Sequence, residues 1–157
     1  MYEKLLNHAS KYNVEVYEKS MVKNVKGLYA DNIIWINKNY LKTSADKASI
    51  LAEELGHYHT TVGDIIDQSK IANRKQELHA RAWAYEKTIP ISKIIEAHRL
   101  NLRNKYELAN YLEVTEAFLE AALQRYKDKY GLSVYYDNYT VCFDPLGVIE
   151  WFDYRDY

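Results

Sequence analysis

The stretch that most constrains this 157-residue chain is one amphipathic segment, residues 45–60. Its apolar residues recur at the spacing of one face of an α-helix; they are Ala48, Leu51, Ala52 and Leu55. Glu53 and His57 are four residues apart, so on a helix both side chains project from the same side, one turn above the other. The segment therefore predicts a helix that buries one face and presents a carboxylate and an imidazole together.

A carboxylate and an imidazole in this arrangement suit a metal site. The H-E-x-x-H motif of metallopeptidases places two histidine ligands at this spacing, with its glutamate as general base. Here Glu53 stands at the first histidine position, Glu54 at the general-base position and His57 at the second histidine position. Periodicity alone favours a simpler interpretation, a solvated helix face with an i,i+4 pair, by about three to one. A carboxylate di-iron bundle would need a second Glu-x-x-His, and the sequence contains only the one that ends at His57.

A mononuclear catalytic zinc site needs three protein ligands and one open position, so another segment must supply the third ligand. Glu77 is the best candidate, because it lies in a second amphipathic segment, residues 71–88, and the chain between it and His57 is long enough to turn back. His79 and His59 are the rival ligands. His59 is only two residues from His57, so on a helix it would point away from this site.

The remaining pattern predicts a mixture of helices and strands. Predicted helices cover 2–12, 45–60, 71–88, 93–100, 105–112 and 116–130, and predicted strands lie near 14–17 and at 27–30, 33–37, 134–136, 139–143 and 148–152. The Asp31-Asn32 pair predicts a hairpin turn between the second and third strands. The buried residues expected in the second long helix are Ala72, Leu78, Ala80, Trp83 and Ala84.

Helix ends are predicted from capping residues. Thr43 with Asp46 forms a plausible capping box for the helix at 45–60, which Gly63-Asp64 should end before a loop at 64–70. Ser92 is predicted to cap the helix at 93–100. Further caps are expected at Asn104 with Glu107, at Thr115 and at Gly131, and a turn is expected at Pro145-Leu146-Gly147.

Composition excludes several classes of protein. The formal net charge is −1, so no overall field favours nucleic acid or membranes. Cys142 is the only cysteine, which excludes an intrachain disulfide and a cysteine-rich zinc site. The sequence shows no signal-peptide pattern and no apolar run of membrane-spanning length, so a cytoplasmic location is expected.

These features together resemble the ImmA/IrrE family of metallo-endopeptidases, in particular the small phage and mobile-element members of Gram-positive bacteria. The matching stretches follow one another over most of the chain: GLYADNIIWIN at 27–37, ILAEELGHY at 50–58, TVGDI at 61–65, NRKQE at 73–77, WAYEK at 83–87 and YELANYLEVT at 106–115. The resemblance implies an α+β fold with a reduced zincin-like core, which is a small sheet or β-hairpin and two metal-site helices. A helical, helix-turn-helix-like segment and a C-terminal β-hairpin follow this core.

The resemblance also implies a metal site and a general base. His57 and Glu77 would be metal ligands and Glu54 the general base, with Zn²⁺ as the expected ion. Glu53 stands where many members have histidine, and a carboxylate oxygen can also bind zinc. Two carboxylates and one imidazole would neutralise the divalent charge and raise the pKa of bound water. We therefore expect weak or selective activity, or a preference for a harder ion such as Mn²⁺.

The small phage-type members inactivate a helix-turn-helix repressor encoded beside them, so the resemblance implies a repressor protein as substrate and control of lysogeny or element induction. Tyr29, Tyr58 and His59 are candidates to stabilise an oxyanion, although packing is the simpler role for each. An alternative function is a non-catalytic protein that binds the repressor.

A helix-turn-helix DNA-binding regulator is a further alternative, based on residues 107–123. Its second helix would begin with Glu116 and Glu120, which would repel phosphate where the closest contact is needed. Residues 91–131 carry seven Lys or Arg and six Asp or Glu, so they form no basic stripe. A structural or repressor-docking role is favoured by about four to one, and we expect no direct contact with nucleic acid or membrane.

Pro90 is the expected boundary between a metallopeptidase core, residues 1–90, and a helical C-terminal part, residues 91–157, which ends in a hairpin. The two parts are expected to pack as one unit.

Overall fold

The computed structural model of the protein describes residues 1–60 and 70–152, and for residues 70–72 it describes the backbone alone. The helices are α1 (Tyr2–Lys11), α2 (Ser44–Thr60), α3 (Lys70–Thr88), α4 (Ile91–Arg99), α5 (Lys105–Leu112) and α6 (Glu116–Tyr130). The strands are β1 (Glu15–Lys19), β2 (Gly27–Ala30), β3 (Ile33–Asn37), β4 (Ser133–Tyr136), β5 (Tyr139–Phe143) and β6 (Leu146–Glu150). The α+β prediction is confirmed.

The N-terminal sheet has the strand order β1-β3-β2. The predicted hairpin is confirmed, because β2 and β3 pair antiparallel with Leu28 opposite Trp35. Both turn residues, Asp31 and Asn32, have positive φ angles, which matches the twist that a two-residue hairpin turn needs. The sheet also contains β1, which pairs parallel with β3. The hairpin is therefore two strands of a three-stranded sheet.

Helix α2 lies against this sheet and buries its predicted face. Ala48, Leu51, Ala52 and Leu55 are all 0% exposed. The predicted capping box is present, since the Thr43 amide donates to the Asp46 carboxylate at 3.0 Å and the Asp46 amide donates to the Thr43 hydroxyl at 3.0 Å. The predicted end of this helix at Gly63-Asp64 lies outside the described residues. So does the predicted loop at 64–70, apart from Lys70, where α3 begins.

Helix α3 packs closely against α2 at one point. A Cβ atom added to Gly56 would come within 2.2 Å of the Ala80 carbonyl oxygen, so only glycine permits this approach. Ala80 and Ala84 are buried as predicted, whereas Leu78 is 48% exposed and the prediction that it is buried is wrong. Leu78 precedes Ala80 by two positions, which places it on a different side of the helix.

The helices α4, α5 and α6 precede a second sheet, which has the antiparallel order β4-β5-β6. The predicted C-terminal hairpin is thus part of a three-stranded sheet. The predicted turn at 145–147 is too long, because β6 begins at Leu146 and pairs with Phe143. Ser92 lies inside α4, which follows Pro90 directly, so its predicted capping role is wrong.

The chain divides into two compact units. The first is Met1–Thr88 with Glu113–Thr115, and the second is Ile89–Leu112 with Glu116–Tyr157. Among the described residues, no helix is long and apolar enough to span a membrane. The boundary at Pro90 and the packing of the two parts as one unit remain predictions.

The contact at Gly56 generates a stability prediction. Gly56→Ala should lower the free energy of unfolding by about 2 kcal/mol or more, because α2 and α3 must move apart to accommodate the methyl group. Helix propensity alone would give the opposite sign, since alanine favours a helix interior by about 1 kcal/mol over glycine. Urea unfolding measures the difference. Gly147→Ala is the control, because a Cβ atom there meets nothing within 4 Å; an equal loss in both variants would contradict the contact argument.

Candidate metal centre

The structure brings His57 of α2 and Glu77 of α3 into contact. The His57 Nε2 atom lies 3.2 Å from the Glu77 Oε2 atom, and the two side chains are 26% and 40% exposed. Both residues lie next to the close helix contact, since His57 follows Gly56 and Glu77 is one turn before Ala80. Two of the residues predicted as metal ligands therefore meet across the α2–α3 interface.

Arg81 holds the other oxygen of the same carboxylate. Its Nε atom donates to the Glu77 Oε1 atom at 2.7 Å, an i,i+4 pair on α3. The two carboxylate oxygens of Glu77 therefore have different partners, the guanidinium of Arg81 and the imidazole of His57. Sequence reasoning did not include Arg81 in the site, although its spacing from Glu77 was a usable signal.

Glu53 lies close enough to this group for the charges of Arg81 and Glu77 to change its pKa. Burial raises the pKa of its carboxyl group, the nearby Arg81 charge lowers that pKa and the Glu77 charge raises it. Within residues 1–60 and 70–152 the Glu53 side chain forms neither a hydrogen bond nor an ion pair. The structure therefore places Glu53 beside the His57–Glu77 contact, and not within it.

Glu54 lies beneath the second strand of the N-terminal sheet. A Cβ atom on Gly27 would fall 2.7 Å from the Glu54 Oε1 atom, so the absence of a side chain on β2 leaves room for this carboxylate. The pKa of Glu54 is raised to about 7, by burial first and by the charges of Glu53 and Glu77 next. A hydrogen bond from the backbone amide of Tyr29 opposes these effects. The carboxyl group is thus poised to bind or release a proton near neutral pH.

Tyr85 is a further residue of this group that sequence reasoning missed. It is 6% exposed, and its pKa is raised by burial first and by the Glu53 charge next, with Arg81 opposing. Glu77, Arg81 and Tyr85 follow one another at intervals of four residues, which is the spacing of one helix face. That periodicity was readable from the sequence once Glu77 was chosen.

The rival histidines lie elsewhere. His59 is hydrogen-bonded to His8, with 2.8 Å between their Nε2 atoms, and it stacks on Trp83 at a ring-centroid distance of 4.4 Å. His79 is exposed on α3. Among the candidates for an oxyanion partner, Tyr58 donates to the backbone of Tyr12 at 3.4 Å. His59 thus has a structural environment of its own, shared with α1.

The donor atoms at the His57–Glu77 contact fit a divalent cation. Two ligands of one tetrahedral zinc ion, each about 2.1 Å from the metal, lie roughly 3.4 Å apart, which is near the observed 3.2 Å. Imidazole nitrogen and carboxylate oxygen are both common zinc ligands. Within the described part of the chain, however, no group of three or more His, Cys, Asp or Glu side chains is arranged to hold a metal ion. Glu53 is therefore not arranged with His57 and Glu77 as a third donor.

The sequence matches one protein-family model. Residues 9–124 match the model of the IrrE N-terminal-like domain, a peptidase family (Peptidase_M78). The chain belongs to this family. The match includes α2, α3 and every residue of the candidate centre. No curated protein and no solved structure gives a significant match. Membership supports a metallopeptidase-type function in the ImmA/IrrE family, and it implies that the protein uses a metal.

The raised pKa of Glu54 predicts how stability depends on pH in protein stripped of metal by a chelator. Because the carboxyl group binds its proton more tightly in the folded state, stability falls as the pH rises from about 4.5 through about 7. The loss should be on the order of 2 kcal/mol by pH 8. Glu54→Gln should remove this part of the pH dependence, measured by urea unfolding at pH 4.5 and pH 8.

Glu116→Gln serves as the control, because Glu116 is exposed at the start of α6. It should leave the pH dependence as it is in the parent. If Glu54→Gln and the parent lost stability equally between the two pH values, the burial of the Glu54 charge would not be the cause.

Proposed function

We propose that this chain is a metal-dependent endopeptidase that cleaves, or otherwise inactivates, a helix-turn-helix repressor of a phage or mobile element, and so controls lysogeny or element induction. The observation that carries the proposal is the contact of His57 Nε2 with Glu77 Oε2 beside Glu54, in a chain of a peptidase family. Zn²⁺ is the proposed ion, with Mn²⁺ as the alternative. The proposed reaction is hydrolysis of a peptide bond in the cytoplasm.

The proposed ligands are His57, Glu77 and Glu53. The first two already lie at a separation suited to one ion. Glu53 is the third, because it is on the same side of α2 as His57 and feels the charge of Glu77. Its buried carboxyl group lacks a hydrogen bond or ion pair in the described residues, so a cation would satisfy it.

Glu54 is the proposed general base. A bound divalent cation would supply Lewis-acid chemistry, by lowering the pKa of water and polarising the substrate carbonyl. Glu54 accepts a proton from water on its carboxylate, and it can then transfer that proton to the amine that leaves. The hydrogen bond from the Tyr29 amide keeps the carboxylate in place while its protonation changes. In the metal-free protein this base has a pKa of about 7.

The support for a repressor as the partner is the resemblance to the phage and mobile-element members of the family. The first turn of α6 contains the acidic residue Glu116, and Glu120 follows one turn later, paired with Lys105 at 3.3 Å. Acidic groups at that position disfavour contact with phosphate, so we propose no direct binding to nucleic acid.

A second candidate is a protein that binds the repressor without cleaving it. Two observations favour it. Arg81 already neutralises part of the Glu77 carboxylate, and the described residues contain no complete group of three ligand side chains. The two candidates differ in whether the purified chain binds metal, which is measurable directly.

Metal content tests the proposed ligands. The parent protein should contain close to one Zn²⁺ or Mn²⁺ per chain by inductively coupled plasma mass spectrometry, and His57→Ala and Glu77→Ala should lose it, because each removes a ligand. Glu54→Gln should keep the metal and lose cleavage of the repressor by about 10²–10⁴-fold, which is the usual contribution of a general base.

His79→Ala is the matched control for this experiment, because His79 is exposed on the same helix two residues after Glu77. It should retain the metal. Loss of metal in His79→Ala with retention in Glu77→Ala would show that the ligand set is wrong. Absence of metal from the parent, even after incubation with excess Zn²⁺, would favour the non-catalytic candidate.

The charge of Glu53 generates a separate prediction. Two carboxylate ligands leave a divalent ion with little net charge, so its effect on water is weaker than in a site with two histidines. Glu53→His should therefore raise the rate of repressor cleavage by Zn²⁺-loaded protein at pH 7, by about tenfold for each pKa unit that the attacking water gains in acidity. Equal rates in the parent and in Glu53→His would contradict this charge argument.

A further inference from the structure

Arg81 contacts one carboxylate of the candidate centre, that of Glu77. Its Nε atom lies 2.7 Å from the Glu77 Oε1 atom. Among the charges that act on Glu53, that of Arg81 has the largest effect, ahead of Glu77 and Lys26. Burial raises the pKa of Tyr85, and the Arg81 charge opposes that rise. One guanidinium therefore contacts Glu77 and also affects the pKa values of Glu53 and Tyr85.

The cluster needs such a cation. Glu53, Glu54 and Glu77 place three carboxylates at one helix interface, and the charges of Glu53 and Glu77 both disfavour ionisation of Glu54. In a site with histidine at position 53 one of these negative charges would be missing. The Glu53 carboxylate and the Arg81 guanidinium thus form a compensating pair of charges, because each offsets the net charge that the other introduces.

We propose that Arg81 is the counter-cation of this carboxylate cluster in the metal-free protein, and that it competes with a divalent cation for the same carboxylates. The competition part rests on the proposed metal site, whereas the counter-cation part rests only on the contacts of Arg81. A divalent ion that approaches Glu77 and Glu53 meets a fixed positive charge and must displace or tolerate it. The chain thereby holds its metal more weakly than its ligand set alone would.

An alternative role makes the opposite prediction. If Arg81 only oriented Glu77 so that Oε2 faces the metal, its removal would weaken metal binding, by about 10–100-fold. If Arg81 acts as a competing charge, its removal strengthens metal binding. Repulsion between a guanidinium and a divalent ion a few ångströms apart exceeds the orienting effect at the dielectric constant of a protein surface, so we expect binding to strengthen by about tenfold or more.

The experiment measures the affinity of the full chain for Zn²⁺ and for Mn²⁺ by competition with a chromophoric chelator. Arg81→Gln should bind each ion about tenfold more tightly than the parent, and the difference should shrink at high salt because ions screen a charge that is half exposed. Arg81→Lys should stay close to the parent, because it keeps the charge. Arg74→Gln is the matched control, since Arg74 is an exposed arginine earlier on α3 that forms no ion pair within the described residues.

The competition would be overturned if Arg81→Gln bound metal more weakly than the parent, or equally well. It would also be overturned if Arg81→Lys bound metal as tightly as Arg81→Gln. The first would assign Arg81 an orienting role or none. The second would show that the geometry of the guanidinium matters and that its charge does not.

Unfolding of the metal-free proteins tests the counter-cation role separately. Arg81→Gln should lower the melting temperature by about 2–5 °C relative to Arg74→Gln, because the carboxylates lose their cation. In a Glu53→Gln background, which carries one fewer carboxylate, the same substitution should cost clearly less. Equal melting temperatures of Arg81→Gln and Arg74→Gln would overturn the inference. If no variant binds metal, the proposed function fails, and this stability comparison still decides the role of Arg81.

Discussion

The close approach of α2 and α3 at Gly56 and Ala80 controls the geometry on which the candidate centre depends. With no side chain on Gly56, the Ala80 carbonyl can lie where a Cβ atom would otherwise be. The four polar residues around this point have equivalent positions on their helices: Glu53 and Glu77 precede the contact by three residues, and His57 and Arg81 follow it by one. Helices that touch through small residues bring the flanking side chains within reach of each other, which is why His57 meets Glu77. A larger residue at position 56 would separate these side chains as well as the helices.

The same close packing creates an electrostatic cost. Carboxylates at a helix interface lose water, and their mutual repulsion adds to that loss, as the raised pKa values of Glu53 and Glu54 show. Two groups of the protein reduce this electrostatic destabilisation. The Tyr29 amide donates a hydrogen bond to Glu54, and the Arg81 guanidinium pairs with Glu77. A site that is destabilising without a bound cation is typical of functional centres, where stability is sacrificed for chemistry. The hydrogen-bonded His8–His59 pair lies among aromatic rings of α1, α2 and α3, which is a separate contact of the first unit.

Family membership and local geometry contribute different parts of the functional argument. The match over residues 9–124 establishes the peptidase family, and the contact of His57 with Glu77 is the basis of the metal site that we propose. Glu53, at the first histidine position of the H-E-x-x-H spacing, forms no ion pair with Arg81, but the Arg81 charge lowers its pKa against the effect of burial. The two charges change the site together, so the effect of either substitution depends on the other. Metal affinity and reaction rate in this chain are therefore expected to follow the charge balance of the whole cluster, beyond the identity of its ligands.

The sequence by itself determined the local structure. Apolar spacing predicted the buried face of α2, Thr43 and Asp46 predicted its capping box, and Asp31-Asn32 predicted the hairpin turn, because each depends on residues within a few positions of one another. It also supplied His57 and Glu77 as a pair worth testing. Only the tertiary structure decided the parallel pairing of β1 with β3, the exposure of Leu78, the place of Gly27 over Glu54, and the contact of His57 with Glu77. These features depend on how closely two elements distant in the chain approach each other, and that distance is set by small residues such as Gly56, whose role no periodic pattern records.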